Sequence, residues 1–409
     1  MWGVNLSFGA NFPDHAGAER TAARLAAAGV NSVRCHHMDT SAYPNGILDP
    51  KDPSRLSAEA IERLDYFIAQ LAQRGIYANI NLHVGRKASR FLGLPDPGTD
   101  YDKIAGIFTP RLVEAQKQYA QDLLCRTNAY RKVRYTDDPA VAFVEITNED
   151  SVFMWDGTER LKAFPEFYAK ILRERYAAWL RKRHGTTDRL KTAWSRGAEP
   201  LGGNLLAMDS FPGGNDTDAV GWRMEQHAGC SAKIARTGAN GVRFDIAKAD
   251  DTGWRLQLKQ TPLALKAGRY YTLSFRARAD APRAIACGVG QDRSPWGGLG
   301  LWESVKLSKE WRDFSVRFKA TADESHARLS FSFGGDAHSV ELADVSLAPG
   351  GGKGLLPDES LEKATVALFG QAESEARSLD RDLFLADMER AYFDGMRAFL
   401  KKDLGLKGL

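Results

Sequence analysis

The hydrophobic and polar positions of the first 198 residues follow two alternating periods. Short apolar runs of strand length occur four times, at Trp2–Phe8, Val30–Arg34, Ile76–Leu82 and Ala140–Ile146. Between them, apolar residues recur every three or four positions, which predicts helices at Ala16–Ala28, Ser57–Gln73, Thr109–Arg126 and Phe164–His184. Strand and helix alternate without hairpin turns, so the pattern predicts parallel strands joined by right-handed crossovers. The fourth run is apolar on both faces, as in a buried parallel sheet.

A second pattern begins near Asn204, where short segments of alternating polarity follow one another up to Leu347. They predict an antiparallel β-sandwich of jelly-roll type. Gly350–Gly354 is a predicted linker, and the chain is expected to be helical again from Leu361 to Leu404.

These patterns predict an α/β fold that an all-β domain interrupts. A (β/α)8 barrel needs eight strands over roughly 250 residues, and only four are predicted. We therefore expect half a barrel at 1–198, an inserted sandwich at 204–348, and a helical return to the barrel at 355–409 that ends before a fifth strand.

Composition narrows the possible partners. A net charge of +4 over 409 residues, with no nucleic-acid-binding motif, argues against DNA or RNA. No apolar run reaches the length of a membrane span, so no membrane partner is expected. The four cysteines are far apart and lack zinc spacing, which indicates buried thiols rather than a metal site or disulfide framework. No signal peptide is apparent at the N-terminus.

Polar residues follow three of the predicted strands, at the ends that form the active-site rim of a barrel. They are Arg34, His36, His37 and Asp39, then His83, then Asn148 and Glu149. Such side chains suit the binding of sugar hydroxyls and the protonation of a glycosidic oxygen. Two alternatives remain: Asn148 and Glu149 form a helix N-cap, or the histidines and Glu149 bind a metal, which is the poorer fit.

The segments VRCHHMD, NLH and TNE, at the ends of the second, third and fourth strands, resemble clan A glycoside hydrolases, especially the family 5 and family 42-like (β/α)8 enzymes. The final segment DMERAYFDGMRAFLKKDLGLKGL is similar to the part before their fifth strand. The resemblance implies that Glu149 is the general acid/base, without a cofactor. It also implies that Asn148 binds the hydroxyl next to the reacting carbon, and that Arg34 orients the catalytic carboxylates.

The same resemblance implies that His37 and His83 line the sugar subsite, and His36 and Trp155 complete the candidate set. Each has a simpler alternative, since Arg34 can be a salt-bridge partner and at most one of the adjacent histidines need be functional. Retaining enzymes use two carboxylates about 5 Å apart. The family places its nucleophile on the seventh strand, which this chain does not reach, so we expect no turnover unless the missing half is supplied in trans.

The segments WRLQLKQTPLALKAGRYYTLSFRARAD, EWRDFSVRF and VELADVSL resemble carbohydrate-binding modules of the family 4, 9 and 22 type. Such modules stack aromatic rings on sugar faces. Trp222, Trp254, Trp296 and Trp302 are the candidates, with Trp296 the one most expected to be exposed. Trp254 and Trp311 stand in strand-like alternation and are predicted to lie in the core. Alternatively, the module has lost its sugar site and only braces the barrel.

Together these observations predict a truncated, cellulase-like retaining glycoside hydrolase that acts on a β-linked polysaccharide or oligosaccharide. The competing hypotheses are a non-catalytic glycan-binding protein with a barrel scaffold and a metal-dependent barrel enzyme. Glycan-binding modules usually accompany exported enzymes, so the full-length protein is expected to be extracellular or periplasmic.

Overall fold

The computed structural model describes residues 1–99, 101–154, 156–207, 218–219, 222–238, 240–370 and 372–408. Trp155, one of the predicted substrate-binding residues, lies outside them. The chain divides into two compact units, Met1–Trp179 with Arg381–Leu409, and Leu180–Asp380. The predicted domain bounds stay predictions, and each unit is described by itself.

The first unit contains a four-stranded parallel sheet. Its strands are β1 (Gly3–Ser7), β2 (Ser32–His36), β3 (Tyr77–His83) and β4 (Val141–Thr147), hydrogen-bonded in the order β1-β2-β3-β4. All three strand pairs are parallel, as the alternation of strand and helix predicts. The complete barrel stays a prediction.

Helices connect these strands or, as α6 and α7 do, follow the last of them. They are α1 (His15–Ala27), α2 (Ala58–Ala72), α3 (Ala88–Phe91), α4 (Ala105–Phe108), α5 (Pro110–Leu124), α6 (Gly157–Ala163) and α7 (Glu166–His184). Side-chain caps start two of them, because Asp14 accepts a hydrogen bond from the Gly17 amide and Ser57 from the Ala60 amide. None of the helices in the described ranges combines the length and the apolar character that crossing a bilayer requires.

The core of this unit lies between one face of the sheet and the helices. Val33 and Cys35 of β2 face the helices, together with the even-numbered residues of β3 from Ala78 to Leu82. The intervening residues of the same strands are polar and face the other way, since side chains alternate along a strand. The expectation that β4 is apolar on both faces is therefore wrong: Val144 and Ile146 pack against the core, whereas Glu145 lies on the polar face.

The last helix begins later than its pattern predicts. Helix α9 spans Glu375–Ala398 and continues as a π-helix over Phe399–Asp403. Residues 355–370 contain turns and no helix, although Leu361 marks the predicted onset. Glu359 of this segment and Arg377 of α9 form a buried ion pair. The pair holds the irregular segment against the first turn of the helix, within the second unit.

The second unit opens with α8 (Thr187–Trp194) and consists mainly of the sandwich, which has the predicted antiparallel pairing. One sheet has the order β13-β10-β15-β8-β7 and the other β12-β11-β14-β9-β6-β5. The strands are β5 (Asp218–Ala219), β6 (Trp222–Gln226), β7 (Ser231–Thr237), β8 (Gly241–Lys248), β9 (Leu256–Leu265), β10 (Tyr270–Ala279), β11 (Arg283–Gln291), β12 (Gly298–Leu307), β13 (Arg312–Lys319), β14 (Glu324–Ser332) and β15 (Val340–Pro349).

Two tryptophans predicted to lie in the sandwich core do not. Trp254 is 51% exposed, because it belongs to a 3-10 turn, Gly253–Arg255, that precedes β9 instead of to the strand itself. Trp311 is half-buried just before β13, with its ring beside the guanidinium groups of Arg276 and Arg278.

Asp65 ties the segment before β4 to helix α2. Its buried carboxylate accepts two hydrogen bonds from the Arg126 guanidinium, one from the Tyr135 hydroxyl at 2.7 Å and one from the Ala129 amide at 3.1 Å. Removing one partner of a buried ion pair leaves the other charge without compensation. The position of β4 therefore depends on this carboxylate.

We expect Asp65→Asn to lower the free energy of unfolding of the first unit by about 3 kcal/mol, because Arg126 would keep a buried, uncompensated charge. Chemical denaturation measures the loss. Asp122→Asn, at an exposed position on α5, is the matched control and should change stability by less than about 0.5 kcal/mol. Equal effects of the two substitutions would contradict the role given to Asp65.

Candidate functional site

One face of the parallel sheet is polar across all four strands. The side chains on it come from alternate positions of each strand, at Asn5, Arg34, His36, Asn79, Asn81, His83, Glu145 and Thr147. The register places Asn5 beside Arg34, Arg34 beside Asn79, and Asn81 beside Glu145. We call this surface the polar face of the parallel sheet.

Glu145 is the centre of the hydrogen bonds on this face, although the sequence did not single it out. Arg34 donates to it twice, from Nε at 2.7 Å and from Nη2 at 2.5 Å. Asn79 and Asn81 donate to its two oxygens at 2.6 and 3.2 Å. Burial works to raise the pKa of Glu145, but the hydrogen bonds from Arg34 and Asn79 outweigh it and lower the pKa.

Arg34 connects this centre to the end of β4. Its Nη2 also donates to Asn148 Oδ1 at 3.0 Å, so one guanidinium holds both Glu145 and the residue before Glu149. The hydrogen bond to Glu145 raises the pKa of Arg34, and the charge of Glu149 adds to this effect. The structure therefore brings Arg34, Asn148 and Glu149 together. It also shows Arg34 in a salt bridge, with Glu145, as the simpler alternative for this residue predicted.

Glu149 is exposed and has a left-handed backbone, with φ of +45°. Such backbones are uncommon outside glycine and cluster at functional sites. The Lys103 ammonium donates to the Glu149 carbonyl oxygen at 3.2 Å. No helix begins at Asn148 or Glu149, since α6 starts only at Gly157, so the helix N-cap alternative is wrong.

Glu149 lines a pocket of about 200 Å³, which we call the Glu149 pocket. Its other lining residues are Tyr101, Lys103, Ile104, Asp150, Ser151, Met154, Asp156 and Arg160. Arg160 is paired with Asp156 at 2.6 Å. The pocket thus places Glu149 beside hydrogen-bond donors of both charged and neutral kinds.

The two adjacent histidines have different surroundings. His36 is buried on the polar face of the parallel sheet, with Nδ1 2.9 Å from Asn81 Oδ1. His37 has a left-handed backbone, and its ring stacks on Phe8 with centroids 4.5 Å apart. Burial lowers the pKa of His37, and the neighbouring His36 lowers it further.

His83 is 5% exposed, and its Nδ1 lies 3.4 Å from Asp39 Oδ2. Asp39 is fully buried and accepts hydrogen bonds from the amides of Val84, Gly85 and Arg86. Burial works to raise the pKa of Asp39, but His83 and the amides of Val84 and Gly85 lower it overall. Asp39 thus orients the imidazole ring. Within the described ranges, no three His, Cys, Asp or Glu side chains are arranged to hold a metal ion.

The six-stranded sheet of the second unit also has a polar face, directed away from the sandwich core. One row of directly paired residues crosses five of its strands, at Trp302, Gly288, Ser330, Lys259 and Arg223. The next row contains Ser304, Ala286, Ser332, Gln257 and Glu225. We call this surface the polar face of the sandwich.

Several polar side chains on this face are buried although they do not belong to the core. Lys259 Nζ lies between Glu225 and Asp292, 2.9 and 2.8 Å from their carboxylate oxygens. Gln257 is buried too, and its amide nitrogen donates to the Trp254 carbonyl at 2.6 Å. Oriented and partly desolvated polar groups of this kind are typical of ligand sites.

Besides Trp254, which lies in the turn before β9, the predicted sugar-binding tryptophans divide into two groups. Trp302 and Trp296 are 69% and 57% exposed, and the Arg328 guanidinium lies 5.2 Å from the Trp296 ring centroid. Trp222 is only 2% exposed within the sandwich core, so its ring offers no face to a sugar. The geometry therefore favours Trp296 and Trp302 over Trp222.

Residues 203–338 match the model of a carbohydrate binding domain. The match spans the polar face of the sandwich and includes Trp296 and Trp302. The sandwich is therefore of the carbohydrate-binding type, which confirms the resemblance at that level and makes a saccharide the expected ligand class. No curated protein sequence matches the chain.

Among solved structures, the chain is similar to the N-terminal cellulose-binding domain of β-1,4-glucanase C from Cellulomonas fimi. Identity is 22% over 39% of this chain and 99% of that domain, with a TM-score of 0.28. It is also similar to the endo-1,4-β-mannanase from Rhizomucor miehei, with 17% identity over 45% of this chain and 53% of that chain, and a TM-score of 0.32. An endo-β-1,4-mannanase from Thermotoga petrophila is also similar, with 18% identity over 44% of this chain and 40% of that chain, and a TM-score of 0.31.

Sequence reasoning missed the residues that organise both faces. Glu145 stands four positions before Glu149 inside an apolar run. Lys259 stands in a segment whose alternating polar and apolar residues were used only to predict a strand. For Glu145 the available signal was a charged residue at a strand position between two apolar neighbours, Val144 and Ile146. Such a charge must find polar partners on the face of the sheet that points away from these apolar neighbours.

We expect Glu145→Gln to lower the free energy of unfolding at neutral pH by about 1–3 kcal/mol, because Arg34 loses its carboxylate partner. Since folding lowers the pKa of Glu145, its contribution is complete above the unfolded value, about pH 4.3, and disappears as the pH falls through the folded pKa. Denaturation between pH 3 and pH 7 therefore should show a smaller difference between variant and wild type at the acidic end. A constant difference across this range would contradict the linkage.

Proposed function

We propose that this chain binds a β-linked glycan on the polar face of the sandwich. The observation that carries the proposal is the exposed Trp302 ring on a sheet face that also has buried and oriented polar side chains, with the exposed Trp296 ring in the loop between two strands of the same sheet. The carbohydrate-binding type of the domain supports it. The polysaccharide or oligosaccharide is the partner expected from this chemistry.

The two kinds of group have complementary roles. The rings of Trp302 and Trp296 offer apolar surfaces for the C–H-rich face of a pyranose. Lys259, Gln257 and Ser330 offer donors and acceptors for hydroxyl groups, and the ion pairs of Lys259 hold its ammonium in place before the ligand arrives. Groups that are already ordered lose less conformational entropy on binding.

We expect Trp302→Ala to weaken binding of the preferred β-linked oligosaccharide at least tenfold, about 1.4 kcal/mol, because the stacking surface is removed. Trp296→Ala should also weaken it. Isothermal titration calorimetry against gluco-, xylo- and manno-oligosaccharides measures both effects and identifies the sugar.

Trp311→Ala is the matched control, since Trp311 packs beside Arg276 and Arg278 of the five-stranded sheet. It should leave the affinity unchanged. If Trp302→Ala and Trp296→Ala both bind as tightly as the wild type, the polar face of the sandwich is not the sugar site. Absence of binding to every oligosaccharide would favour the alternative of a sandwich that has lost its ligand.

A second proposed function is hydrolysis at the end of β4, with Glu149 as the general acid/base of a retaining glycoside hydrolase. The Glu149 pocket and the hydrogen bond from Arg34 to Asn148 support it. In this proposal Asn148 binds the hydroxyl next to the reacting carbon, and His37, His36 and His83 shape the sugar subsite. The expected compartment of such an enzyme is extracellular or periplasmic.

Retaining hydrolysis needs a second carboxylate about 5 Å away as the nucleophile. Glu145 is a poor choice for it, because Arg34, Asn79 and Asn81 already hold both of its oxygens. We therefore give Glu145 a positioning role: through Arg34 it fixes Asn148 and the start of the Glu149 turn. In this proposal the nucleophile comes from the other half of the barrel.

In a protein that contains both halves of the barrel, we expect Glu149→Gln to lower kcat on natural glycans by a factor of about 10²–10⁴, since a general acid is lost. Aryl glycosides with good leaving groups should lose less, because they need less protonation. Binding to the sandwich should be unchanged, and Asp122→Asn, at an exposed position on α5 outside the pocket, serves as the control. Unchanged kcat would contradict this role, and no activity in the wild type would leave glycan binding as the function.

A further inference from the structure

A third exposed indole of the sandwich, that of Trp254, lies at the border of the polar face of the sandwich. It belongs to the 3-10 turn Gly253–Arg255, directly before β9, and is 51% exposed. The turn is attached to that face, because the buried Gln257 side chain donates a hydrogen bond to the Trp254 carbonyl oxygen at 2.6 Å. An indole exposed on an anchored turn offers a flat apolar surface to a ligand.

The contacts of the Trp254 ring place it beside the polar side chains of this face. Its centroid lies 5.7 Å from that of the His227 ring. His227 directly follows β6, and its Nε2 lies 3.8 Å from a carboxylate oxygen of Glu225. Glu225 in turn is paired with Lys259 at 2.9 Å. The indole is therefore joined through two side chains to the ammonium group at the centre of the face.

Trp254 and Trp302 lie on different sides of the polar face of the sandwich. Trp302 belongs to the edge strand β12, and Trp254 leads into β9, the third strand from it in the order β12-β11-β14-β9. Because neighbouring strands are 4.7–4.9 Å apart, β12 and β9 are separated by about 14 Å. A single pyranose ring is too short to contact both indoles.

Small side chains line the surface between the two strands. One row of paired residues crosses it at Gly288 and Ser330, and the next row crosses it at Ala286 and Ser332. Side chains of this size rise little above the backbone of the sheet. The face therefore has room for a sugar chain that lies flat across the strands between the indoles.

We propose that Trp254 is a second stacking subsite, and that the ligand is an extended chain of several β-linked sugar residues that crosses the strands from Trp302 to Trp254. The inference rests on the glycan-binding function proposed above, to which it adds a contact residue and a minimum length of ligand. Each indole stacks on the C–H-rich face of one sugar residue. Lys259 and Gln257 bind hydroxyl groups of the residues in between. A chain held along its length needs no free end, so the interior of a polysaccharide fits this face.

Calorimetric titration of the full chain with a length series of the best-bound sugar, from disaccharide to hexasaccharide, tests the proposal. We expect the wild-type affinity to rise at least tenfold along the series, because only the longer chains reach both indoles and two linked contacts reinforce each other. Trp254→Ala should abolish most of this gain and weaken hexasaccharide binding at least tenfold. Trp254→Tyr, which keeps an aromatic ring, should retain part of the gain.

Trp2→Ala is the matched control, since it removes an indole that is 64% exposed in the first unit. It should leave the whole length series unchanged. Wild-type affinity that does not rise with length, or a full gain in Trp254→Ala, would overturn this inference and leave glycan binding on the polar face of the sandwich intact. If the wild type binds no oligosaccharide of any length, both the proposed function and this inference fail.

Thermal denaturation shows whether the variants are folded. Because the Trp254 and Trp2 side chains are exposed, we expect both alanine variants to unfold within a few degrees of the wild type. Weaker hexasaccharide binding by a folded Trp254→Ala then reports the loss of a sugar contact.

Discussion

The pairing of Arg34 with Glu145 is the interaction on which the candidate hydrolytic site depends. It joins the second and fourth strands above the third, whose Asn79 and Asn81 complete the hydrogen bonds of the carboxylate. A half-buried guanidinium and carboxylate need this degree of satisfaction to repay their desolvation. The spare hydrogen bond from Arg34 to Asn148 then fixes the chain where it leaves β4. The strained turn at Glu149 follows directly from that point.

Much of the fold could be predicted from periodicity, because burial imposes period two on strands and about 3.6 on helices. The four parallel strands and helices α1, α2, α5 and α7 lie within a few residues of the predicted ranges. The sandwich was predictable for the same reason. By contrast, the segment 355–370 has helix-like spacing but no helix, since the buried pair of Glu359 and Arg377 stabilises an irregular backbone there.

The candidate site was predictable only in part. Strand ends identify Arg34, His83, Asn148 and Glu149 as neighbours, because parallel strands end at one edge of a sheet. Glu145 was missed, and the contacts of Asp39 were not predictable, because both depend on which atoms face one another, and therefore on side-chain direction and register. The same limit explains the tryptophans: sequence alternation placed Trp254 in the core, but its turn before β9 exposes it.

Gly288 gives the polar face of the sandwich a feature that concerns its evolutionary history. A Cβ atom at this position would stand 2.7 Å from a ring carbon of Trp302, closer than real Cβ contacts occur. The indole of Trp302 thus packs directly over Gly288, and neither residue can be substituted without affecting the other. Any lineage that fills position 288 must move or discard the ring at 302. The two positions should therefore be inherited as a pair. In a descendant sequence, a larger residue at position 288 would mark the point at which the stacking surface of the indole was lost.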